Sequence, residues 1–189
     1  MRYNKKTGWV SGVRHCPSPN HDDRPENTEA DLLVIHGISL PPGKYGGDFI
    51  DQLFTNALDP EEHSYFQEIC ELRVSTHLLI RRTGEIVQYV PLIKRAWHAG
   101  ASEFEGRECC NDFSIGIELE GCDDEPYEEV QYSQLAKITQ LIQKRWPGIT
   151  QEKIVGHCDI APGRKTDPGF AFDWPYFRKL SSEENGNRD

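Results

Sequence analysis

Residues 31–43 read DLLVIHGISLPPG. Leu32, Leu33, Val34 and Ile35 make an unbroken apolar run that delivers His36 and then stops at Pro41-Pro42-Gly43. A run without the alternation of a half-solvated strand predicts a strand buried on both faces. Such a strand belongs in the middle of a sheet with helices on each side. The Pro-Pro-Gly stop predicts a loop. A strand end is also a rigid place from which to aim a side chain into a cleft, so His36 becomes a candidate functional residue.

The rest of the chain supplies neighbours for this strand. Residues 75–91, STHLLIRRTGEIVQYVP, read as a hairpin turning at Thr83-Gly84. Residues 111–121, NDFSIGIELEG, alternate. Phe113, Ile115, Ile117 and Leu119 point to a core, and Ser114, Gly116, Glu118 and Glu120 point to a small or acidic face. EKIVGH, 152–157, is a short strand that ends at His157. Helices are predicted over GDFIDQLFTNAL (47–58), over residues 128–146 and over DWPYFRKL (173–180). The second carries an apolar stripe of Val130, Leu135, Ile138, Leu141, Ile142 and Trp146 and is stopped by Pro147-Gly148. Residues 1 to about 30 look irregular, and residues 1–8 and 181–189 read as flexible tails. The fold class is α/β (α+β): one domain over 1–189 with a mixed central β-sheet flanked by helices.

Charge and composition narrow the partners. The net charge of -10 repels a polyanion at long range, so nucleic acid is not an expected partner. A small anionic ligand held by local Arg and Lys is still compatible with it. No run is long and apolar enough to span a bilayer, and the N-terminus lacks the apolar core of a signal peptide. A cytosolic monomer is expected. Six cysteines, Cys16, Cys70, Cys109, Cys110, Cys122 and Cys158, show no paired metal-knuckle spacing and fit free thiols in a reducing compartment. Redox activity at the neighbouring Cys109 and Cys110 is the minor alternative.

The chemistry-bearing residues gather around two histidines that follow strand-like runs, His36 and His157. Asp167 follows in the turn-rich segment GHCDIAPGRKTDPG, 156–169. Two His and one carboxylate are a sufficient set for catalytic zinc, with a fourth position left to water. Seven histidines offer many pairs, so spacing alone does not single this trio out. Lys165 projects to the same side as Asp167 if the segment is extended, where an ammonium would stabilise an oxyanion. A solvated surface Lys is the plainer reading. Glu118 and Glu120 share one strand face, and either could move a proton. Gly116 beside them leaves room for a ligand above the sheet. His77 and His98 are open between ligand, substrate contact and support, and Trp97 between sugar stacking and packing. The His15, Cys16 and His21 cluster lacks a fourth ligand. Cys158 and His157 would point to opposite faces of a strand, which argues against a Cys–His pair.

Five motifs in one order carry a family resemblance. LLVIHGISLPPG (32–43), VSTHLLIRRTGEIVQYVP (74–91), RAWHAG (95–100), CNDFSIGIELEG (110–121) and GHCDIAPGRKTDPG (156–169) together resemble the zinc-dependent N-acetylmuramoyl-L-alanine amidases, which include phage amidases and peptidoglycan recognition proteins. CPSPNHDDRP (16–25) and GRECCNDFSIGIELEG (106–121) are similar to the cytosolic subgroup that acts on 1,6-anhydro-muropeptides. The similarity runs from about residue 9 to about residue 180.

The resemblance implies zinc ligands at His36, His157 and Asp167, one Zn2+ per chain in a groove above the sheet. It implies an acid/base at Glu118 rather than Glu120, and an oxyanion partner at Lys165. It also implies a hydrolase of the amide between the lactyl group of 1,6-anhydro-N-acetylmuramic acid and L-Ala, serving peptidoglycan recycling. A muropeptide carries carboxylates, so Arg73, Arg107 and Arg164 are candidate contacts, with Trp97 and His98 beside them. Gly37 departs from the Asn frequent in that subgroup, which removes one side-chain hydrogen bond to substrate. A peptidoglycan-fragment binding module and an amidase of intact wall are the competing readings. The filled ligand and catalytic positions argue against the first, and the N-terminus argues against the second.

Overall fold

The computed structural model describes residues 1–183. Its central sheet has six strands in the order Ile154–Gly156, Leu32–Ile38, Ser114–Glu120, Leu78–Ile80, Ile86–Gln88, Arg14–His15. The first four are parallel. The predicted hairpin pairs antiparallel with Ile80 opposite Ile86, and Arg14–His15 lies parallel to Ile86–Gln88. The sheet is therefore mixed. Its two longest strands, Leu32–Ile38 and Ser114–Glu120, pair along their whole length, from Leu32 opposite Ser114 to Ile38 opposite Glu120.

Both faces of this pair are covered, which is why Leu32–Ile35 needs no polar residue. One face gives Leu33, Ile35, Ile115, Ile117 and Leu119 to a core closed by Leu135, Ile138 and Ile142 of the helix Glu129–Arg145 and by Phe177 of the helix Trp174–Ser182. The other face carries two smaller clusters. Leu79 and Val87 pack under Ile50, Leu53 and Phe54 of the helix Phe49–Phe54. Leu32 and Val34 pack with Ala99, Cys110, Phe113 and Ile160. Between these clusters the sheet opens into a cleft floored by His36 and Glu118.

Several expectations change in detail. Ser114–Glu120 is buried at every position, not on one face only. The room expected above Gly116 is filled by the His98 ring, because a Cβ there would lie 2.5 Å from His98 Cγ. Strand pairing continues past His36 to Ile38, so His36 is an interior strand residue. His157 is the first residue of the one-turn helix His157–Ile160, just beyond the strand Ile154–Gly156. On the long helix the expected stripe is buried at Leu135, Ile138, Ile142 and Trp146, but Val130 is exposed and Tyr132 is buried in addition.

The tails differ as well. Residues 1–8 are tied down: Arg2–Tyr3 pairs with Val10–Ser11, and the Tyr3 ring packs against Trp146 at 5.4 Å. The last helix runs on to Ser182, where buried Ser181 meets the Gln151 side chain, so the start of the expected 181–189 tail is helical. The remainder of that tail, 184–189, lies outside the described residues. Among the described residues no helix is long and apolar enough to cross a membrane.

Candidate metal centre and catalytic cleft

The cleft measures about 870 Å³. Leu53, Phe54, Tyr65 and Ile69 line it with largely apolar surface, and Cys122, Asp123 and the 164–167 loop line it as well. At its floor three atoms converge, one from the strand Leu32–Ile38 and two from the stretch 157–167. His36 Nδ1 lies 3.0 Å from His157 Nδ1 and 3.3 Å from Asp167 Oδ2, and His157 Nδ1 lies 3.1 Å from the same oxygen. Four ligands placed about 2.05 Å from a central zinc would have tetrahedral edges of about 3.3 Å. The observed triangle has those dimensions.

Hydrogen bonding fixes which ring nitrogens face inward. His157 Nε2 lies 3.1 Å from the Ala99 carbonyl, which can only accept, so Nε2 carries the proton and Nδ1 is bare. His36 is set through a relay. Ser114 Oγ donates to the Cys110 carbonyl at 2.6 Å, so at 3.1 Å it must accept from His98 Nε2–H. His98 Nδ1 is then an acceptor, and at 2.9 Å it takes the Nε2–H of His36. Burial, reinforced by neighbouring His36, keeps His98 neutral as this relay requires. Both inward Nδ1 atoms therefore present lone pairs, beside a carboxylate oxygen, with no proton among them. Such a buried trio is repulsive unless a cation sits within it, so the residues fit a zinc ion.

Glu118 stands next to the trio. Its Oε1 is 4.0 Å from His36 Nδ1, and its Oε2 is buried without a hydrogen-bond partner. Burial and then the Asp167 charge push its pKa well above the usual range, and Lys165 opposes them. Glu120 has the opposite environment. Its carboxylate accepts from the Gly46 N–H at 2.7 Å and the Arg82 N–H at 3.0 Å, with Arg81 at 3.5 Å. A carboxylate so fully engaged holds structure and is a poor proton carrier, whereas Glu118 is under-satisfied beside the metal position.

The candidate contacts divide. Lys165, Arg164, Trp97 and His98 line the cleft. Arg107 does not: its guanidinium pairs with Asp31 at 2.7 Å and lies over the Phe113 ring at 3.7 Å, and Phe104 of its hairpin packs on the cluster that holds Leu32, Val34 and Phe113. Arg73 also lies off the cleft lining, with its guanidinium on Glu71 and on nearby carbonyls. Arg164 Nη2 is spent on the Ala99 and Ala101 carbonyls, both at 2.6 Å. His77 is a support: its Nδ1 accepts from the Gly116 N–H and its Nε2 donates to the Lys94 carbonyl, both at 3.0 Å.

Two contributors had no sequence signal. Asn111 holds the backbone beneath His98, and Tyr127 takes the space beside Gly37. A Cβ on Gly37 would come 2.5 Å from the Tyr127 hydroxyl, which donates to the Pro168 carbonyl at 2.9 Å, next to Asp167. The side-chain position at 37 is thus filled from elsewhere in the chain.

The sequence model of the N-acetylmuramoyl-L-alanine amidase family matches residues 26–170. The 1,6-anhydro-N-acetylmuramyl-L-alanine amidase AmpD of Escherichia coli K12 is 59% identical over 177 residues, covering 94% of this chain and 96% of that protein. A crystal structure of an AmpD selenomethionine derivative superposes with a TM-score of 0.92 at 57% identity, covering 95% of this chain and 99% of the other. The E. coli amidase AmiD, solved with the substrate anhydro-N-acetylmuramic acid-L-Ala-D-γ-Glu-L-Lys, has a TM-score of 0.57 at 28% identity, covering 91% and 60%. The chain belongs to the N-acetylmuramoyl-L-alanine amidase family.

Proposed function

We propose that this chain is a zinc-dependent amidase that strips the peptide from 1,6-anhydro-N-acetylmuramyl wall fragments by hydrolysing the amide between the lactyl group and L-Ala. The observation that carries the reading is the buried triangle of proton-free His36 Nδ1, His157 Nδ1 and Asp167 Oδ2, with the unpaired Glu118 oxygen beside it. The names of the similar AmpD proteins support the substrate. Six unpaired cysteines, one of them exposed, support a reducing compartment, and we assign the protein to the cytosol as a monomer that recycles small fragments.

His36, His157 and Asp167 would hold the ion. When bound, zinc polarises a carbonyl and lowers the pKa of a water toward about 7. Glu118 takes a proton from the water whose oxygen adds to the lactyl carbonyl carbon. Lys165 offers its ammonium to the negative charge that develops on the carbonyl oxygen. As the C–N bond breaks, Glu118 returns the proton to the departing nitrogen of L-Ala. The products are the anhydro-sugar carboxylate and a peptide with a free amine. The apolar wall of Leu53, Phe54, Tyr65 and Ile69 limits water around these charges, which strengthens them.

The test is mass spectrometry of zinc-loaded protein with a mixture of 1,6-anhydro and ordinary muropeptides. The expected result is loss of peptide from the anhydro species, blocked by chelation and restored by zinc. Equal cleavage of both species removes the anhydro specificity. Cleavage of neither, with zinc bound, overturns the amidase reading in favour of a binding module.

A further inference from the structure

We infer that Asn111 is a positioning residue for the metal centre: its side-chain oxygen fixes the dipeptide His98–Ala99, which sets the aim and the tautomer of both histidine ligands. The inference rests on the metal-centre reading above. Asn111 Oδ1 accepts from the His98 N–H at 3.0 Å and from the Ala99 N–H at 2.8 Å. An amide oxygen has two acceptor positions, and both are used on consecutive main-chain groups. That stretch belongs to no strand or helix, so no sheet or helix ladder holds these two N–H groups.

The same dipeptide presents two acceptors to the ligands. His98 Nδ1 takes the His36 Nε2–H, and the Ala99 carbonyl takes the His157 Nε2–H. Two imidazoles from distant parts of the sequence are thereby referenced to one short segment. The turn Cys110–Asp112 that carries Asn111 also supplies the Cys110 carbonyl that orients Ser114 and, through it, the His98 tautomer. Gly116 completes the arrangement, since any Cβ there would collide with the His98 ring. Outer partners of this kind hold ligand rings in place and keep the metal-facing nitrogen free, and their loss typically costs about 10–100-fold in metal affinity.

The experiment measures zinc affinity of apo-protein by competition with a chromophoric chelator at one pH, for wild type, Asn111→Ala and Asn111→Asp. Asn111→Ala is expected to lose about 10–100-fold, and Asn111→Asp, which keeps the acceptor oxygen, to stay near wild type. The cobalt-substituted Asn111→Ala should also show an altered ligand-field absorption band. If Asn111→Ala lowers Tm but binds zinc as tightly as wild type, with the same cobalt spectrum, the inference is overturned. If Asn111→Ala does not fold, Asn111→Ser decides, since its shorter side chain cannot hold both the His98 and Ala99 N–H groups as the Asn111 oxygen does. Wild-type zinc affinity and an unchanged cobalt spectrum in Asn111→Ser overturn the inference. Wild-type protein that takes up no zinc overturns the metal-centre reading itself, and this inference with it.

Discussion

Glu118 and His36 sit directly opposite each other on adjacent parallel strands, and Glu118 Oε1 stands 4.0 Å from His36 Nδ1. Paired residues in a sheet project to the same face, so a ladder at the centre of the fold sets this spacing. The neighbouring row cannot serve, because Ile117 and Leu119 point into the opposite core. The proposed proton carrier and first ligand are therefore both set by paired strands of the central sheet, while Lys165 and Asp167 come from a loop.

Glu118→Gln keeps the shape and removes the buried acid. Turnover by the zinc-loaded variant should fall roughly 10²–10⁴-fold. Zinc stoichiometry should not change, because Glu118 is outside the converging trio. The apo variant should melt no lower than wild type, since burial penalises the charged form it replaces. Turnover, bound zinc and Tm are read together; near-normal turnover at full zinc occupancy would remove Glu118 from the chemistry.

Lys165→Ala should spare zinc and cost roughly 10²–10³-fold in rate, if the ammonium acts as an oxyanion partner. It should also displace the pH profile. Glu118 accepts a proton only when ionised, and Lys165 lowers its pKa. Without that positive charge the Glu118 pKa rises, so the acid limb of kcat/KM should move to higher pH. An unmoved limb with full zinc occupancy would show that Lys165 does not act on Glu118 in the loaded enzyme.

Gly37 and Tyr127 should be energetically coupled. Gly37→Ala drives a methyl group into the Tyr127 hydroxyl and should cost about 1–3 kcal/mol as overpacking. Tyr127→Phe loses the bond to the Pro168 carbonyl, worth about 1 kcal/mol, but vacates the oxygen position. In the Tyr127→Phe background the Gly37→Ala cost should shrink. Denaturant unfolding of the four proteins checks this, and simple additivity would mean that the hydroxyl is not what restricts position 37.

The strand Leu32–Ile38, the hairpin, the long helix and the mixed sheet were legible because burial on two faces, period-two alternation and a helical stripe each leave a local trace. The trio His36, His157 and Asp167 was legible mainly through ordered motifs, since spacing alone could not choose among seven histidines. Arg107 was misplaced because nothing local announces that its guanidinium is taken by Asp31, far away in sequence. Gly116 was recognised as space, but its occupant, His98, comes from another segment. Asn111 and Tyr127 act through a backbone dipeptide and a carbonyl, contacts that depend on tertiary placement alone.

His77 should make acid denaturation steeper than surface histidines would. It is fully buried, and burial, with the Arg24 charge next, pushes its pKa from 6.5 down to about 3. In the fold its Nδ1 must stay unprotonated to accept the Gly116 N–H. The unfolded chain takes up this proton near pH 6.5 and the folded chain only near pH 3, so between these values the unfolded state binds more protons. The His77 contribution is therefore fully present above pH 6.5 and declines as pH falls toward 3. Each pH unit inside the window corresponds to about 1.4 kcal/mol for one group. His77→Gln offers an amide oxygen and an amide N–H in place of the ring nitrogens and has no such titration. Unfolding free energies of apo wild type and His77→Gln at several pH values should converge as pH falls, with wild type losing its advantage between 6.5 and 3. Parallel curves across that range would show that His77 titrates alike in the folded and unfolded chain.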